Sequence, residues 1–197
     1  NEGGTFRNTD FKRLNLRLNT KYKLSNNISL VNNINISGSR QNYYGWEDIN
    51  NIYSMVPWDE TYNDDGTVRF VDGSDEVWWY REKVNPLHSI DNADRINKGG
   101  SIDYDLVFTY NISKWLSFSS ANRIGVSTFK DHEYISPIVG RTYYGKGFIS
   151  ESQELAYGAI STNLLKFNFN IKKHSISGLA GAEFDVDIFE DISVQGT

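Results

Sequence analysis

The side chains here that could do chemistry are carboxylates, guanidiniums and aromatic rings; thiol chemistry is excluded, because the chain has no cysteine. Glu183, Asp185 and Asp187 occupy every second position near the C-terminal end, and Asp103 and Asp105 repeat that spacing mid-chain. Side chains two apart on a strand point the same way. Each group is therefore a ladder that could hold a cation or repel an anion. The plainer reading is a hydrated wall, or pairing with Arg13 and Arg17, and it is preferred. A catalytic carboxylate pair needs a pocket and perturbed proton affinities, and nothing in the spacing marks one. His88, His132 and His174 lie too far apart to read as metal ligands. Aligning Gly66 with the turn glycine of an EF-hand loop puts Thr61 at the first ligand position, so Asn63-Asp64-Asp65-Gly66 reads as a plain turn. Gly145-x-Gly147 is too short for a phosphate loop. No catalytic residue, metal or cofactor is expected. Trp46, Tyr53, Trp58, Trp78 and Trp79 are the candidate binding residues. They could stack on sugar rings, but loop packing or a seat for another protein is preferred, since aromatics dominate such contacts.

These groups must be carried by strands. Ile102, Tyr104, Leu106, Phe108, Tyr110 and Ile112 alternate with Ser101, Asp103, Asp105, Val107, Thr109 and Asn111. A period of two with one apolar face defines a strand, and its length and aromatic content suit one with lipid on one side and water on the other. The same alternation predicts strands over about 11–22, 28–39, 101–112, 116–128, 154–171 and 175–188. Leu14, Leu16, Leu18 and Tyr22 oppose Arg13, Arg17 and Lys21, and three cations on one face require that face to be wet. Asn32 interrupts the apolar run of the second strand. Arg123 stands on the polar side of the fourth.

Turns of three to five residues follow the first, third and fifth strands, whereas loops over about 40–97 and 129–153 follow the second and fourth. The longer loop holds four of the five tryptophans and two of the three prolines. Short turns on one side and long loops on the other are the asymmetry of an outer-membrane barrel, and Trp115 and Tyr22 fall where an interfacial aromatic belt would lie. The net charge of −5 and the lack of a basic stripe in the linear sequence argue against a nucleic-acid partner. No apolar run is long enough for a transmembrane helix. The start, Asn1-Glu2-Gly3-Gly4-Thr5, lacks the basic and apolar parts of a signal peptide, which suggests a mature form or an internal fragment. Six strands fall short of the roughly eight that a side-chain-filled barrel needs, and an open edge cannot face lipid. The expectation is three hairpins of a larger up-and-down antiparallel transmembrane β-barrel.

Four phrases resemble SusC-like TonB-dependent outer-membrane transporters. They are Asp10-Phe11-Lys12-Arg13-Leu14-Asn15 at a strand start, Ile112-Ser113-Lys114-Trp115-Leu116-Ser117-Phe118 at a turn, and Lys173-His174-Ser175-Ile176-Ser177-Gly178-Leu179-Ala180-Gly181-Ala182-Glu183 along a strand. The fourth is Asn85-Pro86-Leu87 before a strand. The resemblance implies a barrel of about 22 strands with an N-terminal plug absent here, an outer-membrane location, energy from TonB and a SusD-like lid lipoprotein. It further implies oligosaccharide or oligopeptide cargo. Arg13, Arg17, Asp103, Asp105, Arg123, Glu183, Asp185 and Asp187 would then face the lumen. A secreted carbohydrate-binding β-sandwich is the alternative, and a small outer-membrane barrel enzyme ranks below both.

Overall fold

The computed structural model describes residues 2–3, 6–71, 78–79, 84–139 and 144–197. Six long strands form one antiparallel sheet in chain order: β2 (Asp10–Lys23), β3 (Ile28–Asn42), β4 (Ala93–Asn111), β5 (Leu116–Ile135), β6 (Phe148–Ile171) and β7 (His174–Gly196). A two-residue strand, β1 (Glu2–Gly3), pairs with the start of β2. Two helices, α1 (Trp46–Ser54) and α2 (Pro86–Asp91), lie in the loop between β3 and β4. The described strands all join this one up-and-down sheet, which is not closed. A two-sheet sandwich is not what they form.

The register brings the alternating faces together. Leu16, Ile36, Ile102, Val126, Tyr157 and Ile188 lie in one cross-strand row, and Arg17, Asn35, Asp103, Gly125, Gly158 and Asp187 in the next. One face is therefore apolar across all six long strands and the other polar. Leu14, Leu16, Ile102, Ile124 and Phe184 on the apolar face are each more than half exposed. Soluble monomers rarely expose so large a contiguous apolar patch, and such patches mark surfaces that another apolar body covers.

The interruption at Asn32 has a structural account. Tyr104 Oη donates to Asn32 Oδ1 at 2.8 Å, and Asn32 Nδ2 reaches Thr20 Oγ1 at 3.4 Å. A second cluster on the same face ties Ser120, Asn122, Ser161 and Asn163 by bonds of 2.8–3.1 Å. Mutual pairing is what lets amide and hydroxyl groups sit in an apolar band, where an unpaired one is costly.

The strands run further than alternation marked them. β4 begins at Ala93 rather than near 101, β5 continues to Ile135, β6 starts at Phe148, and β7 reaches Gly196 rather than ending near 188. Past the apolar band β4, β5 and β6 become mostly polar and lose a clean alternation, while on β7 Ile192 and Val194 resume it after Glu190; the backbone ladder continues through all four. The connections shrink accordingly to 43–92 and 136–147, of which 72–77, 80–83 and 140–143 lie outside the described residues. At the other end the turns are tight. Lys172 takes a positive φ of 54° in the two-residue turn between β6 and β7, as such hairpins require.

Candidate functional site

From the long loop, α1 and Tyr43 dock against the polar face, while the large apolar side chains of the opposite face stay exposed. Arg95 on β4 shares the side of Asp103 and pairs across the sheet with Glu133. Its guanidinium is held by Asp48 of α1, and by Glu133 with Nε to Oε1 at 2.6 Å. The Arg95 and Asp48 side chains are nearly inaccessible, at 9% and 5% exposure. Burial pushes the Asp48 carboxyl upward, against the pull of Arg95. Beside them Tyr43 Oη donates to Asp131 Oδ1 at 2.9 Å. Burial, then the Asp131 carboxylate, drives the Tyr43 phenol well above its ordinary range, so it stays a neutral donor. A Cβ at Gly45 would lie 2.9 Å from Arg95 Cζ, so glycine is what allows the chain to enter α1 this close to the ion pair.

α1 is inverted relative to an ordinary surface helix. Asp48 and Asn51, three apart, are buried, while Trp46 and Tyr53, seven apart, are 79% and 77% exposed. The buried side is polar because it docks on Arg95. The outer side presents aromatic rings to solvent. Trp58 and Trp79 are exposed as well. Trp78 differs: it is buried with Val71 and Val84, and Met55 packs against them. Of the five aromatic candidates, four are exposed and one is buried in the loop's core.

Asn85 ties this loop together. It is fully buried, and its Nδ2 donates to the carbonyls of Thr61 and Arg69 at 2.9 and 2.7 Å while its Oδ1 accepts from Leu87 N at 3.1 Å. One side chain thus caps α2 and pins the turn at 61–69, where Gly66 has a φ of 81° and Asp65 binds Thr67. Pro86 at the first helical position needs no amide proton there. The Asn-Pro pair carries that physical role. Burial also lowers the His88 imidazole from its ordinary value, partly opposed by Asp91, while its ring meets Phe70 edge-on at 5.2 Å.

Further along the polar face lie the charged residues that alternation placed there: Arg13, Arg17, Asp103, Asp105, Arg123, Glu183, Asp185 and Asp187. Their pairing is not the one considered from sequence. Arg17 Nε donates to Asn35 and Arg13 Nε to Asn15, whereas Asp105 is met by Arg123 Nε at 2.6 Å. Thr162 Oγ1 donates to Glu183 at 2.8 Å. Asp103 and Asp187 lean over Gly125 and Gly158, where an added Cβ would lie 3.0 and 2.8 Å from their carboxylate oxygens. These glycines border a depression of about 410 Å³ that Asp103, Arg123 and Asp187 also line. No group of three histidines or carboxylates suited to a metal occurs among the described residues. The arrangement can hydrate and repel; its charges are spread along the polar face, with the aromatic loop at the end of the strands away from the short turns.

Sequence reasoning missed Arg95, Asp48, Glu133 and the Tyr43–Asp131 bond. They lie in stretches with no periodicity, and only the register of β4 against β5 brings them together.

No family model matches the chain, and no curated protein matches its sequence. Its structure does have likenesses. The RagAB peptide importer in the "open-open" state superposes with a TM-score of 0.73 over 95% of this chain at 14% identity. A second structure of the RagAB peptide transporter gives 0.71 over 96% at 15%, and the importer in the "closed-closed" state gives 0.66 over 95% at 14%. The chain spans about a fifth of the length of these proteins, 21–22%. The fold is thus that of an open segment of an antiparallel up-and-down barrel, and the proteins it is similar to are importers.

Proposed function

We propose that this chain is part of the barrel of a SusC-like TonB-dependent outer-membrane importer, with its apolar face in lipid and its polar face lining the lumen. The observation that carries the reading is the two-sidedness of an unclosed sheet. An edge with free backbone groups cannot stand in lipid, and soluble monomers rarely leave an apolar face this large to water. Both are satisfied when further strands close the sheet and lipid covers it. The strand and turn phrases and the likeness to a peptide importer support the same reading. Arg13, Arg17, Asp103, Asp105, Arg123, Glu183, Asp185 and Asp187 then form a charged, hydrated lumen wall. The exposed rings of Trp46, Tyr53, Trp58 and Trp79 stand at the outer mouth, as a seat for a SusD-like lid lipoprotein or for cargo.

Of the two cargo classes, oligopeptides are favoured by the likeness to peptide importers. The test uses cells that carry the complete protein. It should fractionate with the outer membrane and shift in gel mobility on heating, as closed barrels do. Deleting it should abolish uptake of labelled oligopeptides, and a protonophore should have the same effect by removing the energy that TonB transmits. Undiminished peptide uptake after deletion refutes the cargo assignment. A protein found in the soluble fraction refutes the membrane reading.

A further inference from the structure

On β2 to β5 the apolar face ends abruptly at its outer edge, whereas on β7 Ile192 and Val194 continue it. Lys12, Arg40, Lys98 and Lys130 are consecutive partners in one cross-strand row, each directly opposite the next on β2, β3, β4 and β5. All four are exposed and lie on the apolar side of the sheet, continuing the alternation of Leu14, Ile36, Ile102 and Val126. Like charges placed directly opposite destabilise a sheet. Four in succession therefore call for an external anion. Ion pairs form only at the ends of the row, Lys12 with Asp10 at 3.2 Å and Lys130 with Glu151 at 3.0 Å, while Asp10, Asp91 and Asp94 line a cavity beyond the row together with Arg40. Arg40 and Lys98, in the middle, make no ion pair among the described residues.

A second feature lies just below, on the membrane side of these two. Gly38 and Gly100 are partners in the next row of the same face. A Cβ added at Gly38 would meet nothing within 4 Å, and one at Gly100 would touch only Ser37 O and Thr128 Cγ2 at 3.7–3.8 Å. The central cations thus overhang a bare notch in the apolar band, between Leu14 and Thr128 of that row. Cations above and an open apolar slot beneath match an amphipathic molecule with anionic groups on top of an acyl chain. Neighbouring strands are about 4.8 Å apart, so the row extends over roughly 14 Å, enough for a headgroup bearing more than one phosphate.

We infer that this row is a binding site for a phosphorylated, acylated glycolipid of the outer leaflet, its phosphates on Arg40 and Lys98 with Lys12 and Lys130 flanking, and an acyl chain in the Gly38–Gly100 notch. The inference rests on the outer-membrane reading, which alone puts this edge at the level of lipid headgroups.

The experiment uses the complete protein folded into lipid nanodiscs containing a bisphosphorylated acyl-disaccharide lipid, with retained lipid measured by mass spectrometry. Lys12→Gln, Arg40→Gln, Lys98→Gln and Lys130→Gln together should lower retention roughly a hundredfold or more, since each basic residue contributes appreciably at an anionic lipid surface. Gly38→Leu, which keeps every charge and fills the notch, should also lower retention while leaving the barrel folded. The dephosphorylated lipid should bind as weakly to the unaltered protein as the phosphorylated one binds to the fourfold variant. Inorganic phosphate should fail to displace the lipid; complete displacement by it would reveal a simple phosphate site and overturn the lipid assignment. Retention in the unaltered protein should fall as salt rises from 0.1 to 1 M and the screening length shrinks from about 10 to about 3 Å, a measurement that needs no variant to fold. A folded, inserted protein that keeps no more lipid than the fourfold variant overturns the inference alone. Failure of the unaltered protein to give a heat-modifiable, membrane-inserted barrel overturns the outer-membrane reading and the inference with it.

Discussion

Replacing Leu106 by Arg tests whether the apolar face meets lipid. From Gly100 to Tyr110, ten residue steps on β4, the outward positions cover about 34 Å at roughly 3.4 Å per residue. A strand tilted by about 45° projects that to roughly 24 Å along the membrane normal, close to the apolar band of about 25 Å in such barrels. Leu106 falls near the middle of this span. A charge there costs about 2–4 kcal/mol, whereas near an interface it costs about 0–1 kcal/mol. Since every 1.4 kcal/mol is tenfold, Leu106→Arg should lower the folding equilibrium constant roughly 30- to 700-fold. Leu155 lies in the same cross-strand row as Gly100, by way of Thr128, so Leu155→Arg is the interfacial control. Asp105→Asn, one position along β4 but on the polar face, should leave folding intact, because an amide oxygen can still accept from Arg123. The assay is equilibrium unfolding of the complete barrel in lipid vesicles, followed by tryptophan emission and by heat-modifiable mobility. Equal costs for Leu106→Arg and Leu155→Arg would refute the depth argument. A large loss in Asp105→Asn would refute the assignment of the faces.

Other expectations concern the long loop. Asn85→Ala removes three hydrogen bonds from a buried site and should lower the local stability of residues 61–69 by about 2–4 kcal/mol; hydrogen exchange should show lost protection there, with the strands unchanged. Arg95→Leu leaves the Asp48 carboxylate buried without its partner, at a cost of about 3–5 kcal/mol, and Asp48→Leu in the same chain should restore most of it. Limited proteolysis in the 43–58 region would report both, and no recovery in the double variant would show that the ion pair is not what docks α1. His88, whose imidazole is lowered in the folded loop by burial and only partly held up by Asp91, favours the neutral form. The stability it contributes is present above the unfolded value of 6.5 and is lost as pH falls through the folded value. Hydrogen exchange at 86–91 should therefore quicken on acidification below 6.5, and His88→Gln should remove that pH dependence.

The sequence by itself determined the two faces. Alternation is a local property of a strand, so Ile102 to Tyr110, or Glu183 to Asp187, declares its sidedness without any neighbour. It also placed the short turns, because an abrupt end of alternation beside polar residues is a local signal. Tertiary structure alone decided what lies beyond the apolar band. Past Lys98 and Lys130 apolar residues no longer fall on every second position, and only cross-strand hydrogen bonding shows that β4 and β5 continue to Ala93 and Ile135. The inverted helix α1 was illegible for a related reason. Its buried residues are Asp48 and Asn51, and their burial is tolerable only because Arg95, 47 residues away in sequence, comes to meet Asp48. Likewise Lys12, Arg40, Lys98 and Lys130 are four separate cations in the chain. Register makes them one row, because charge accumulates at an edge only when pairing brings distant positions side by side.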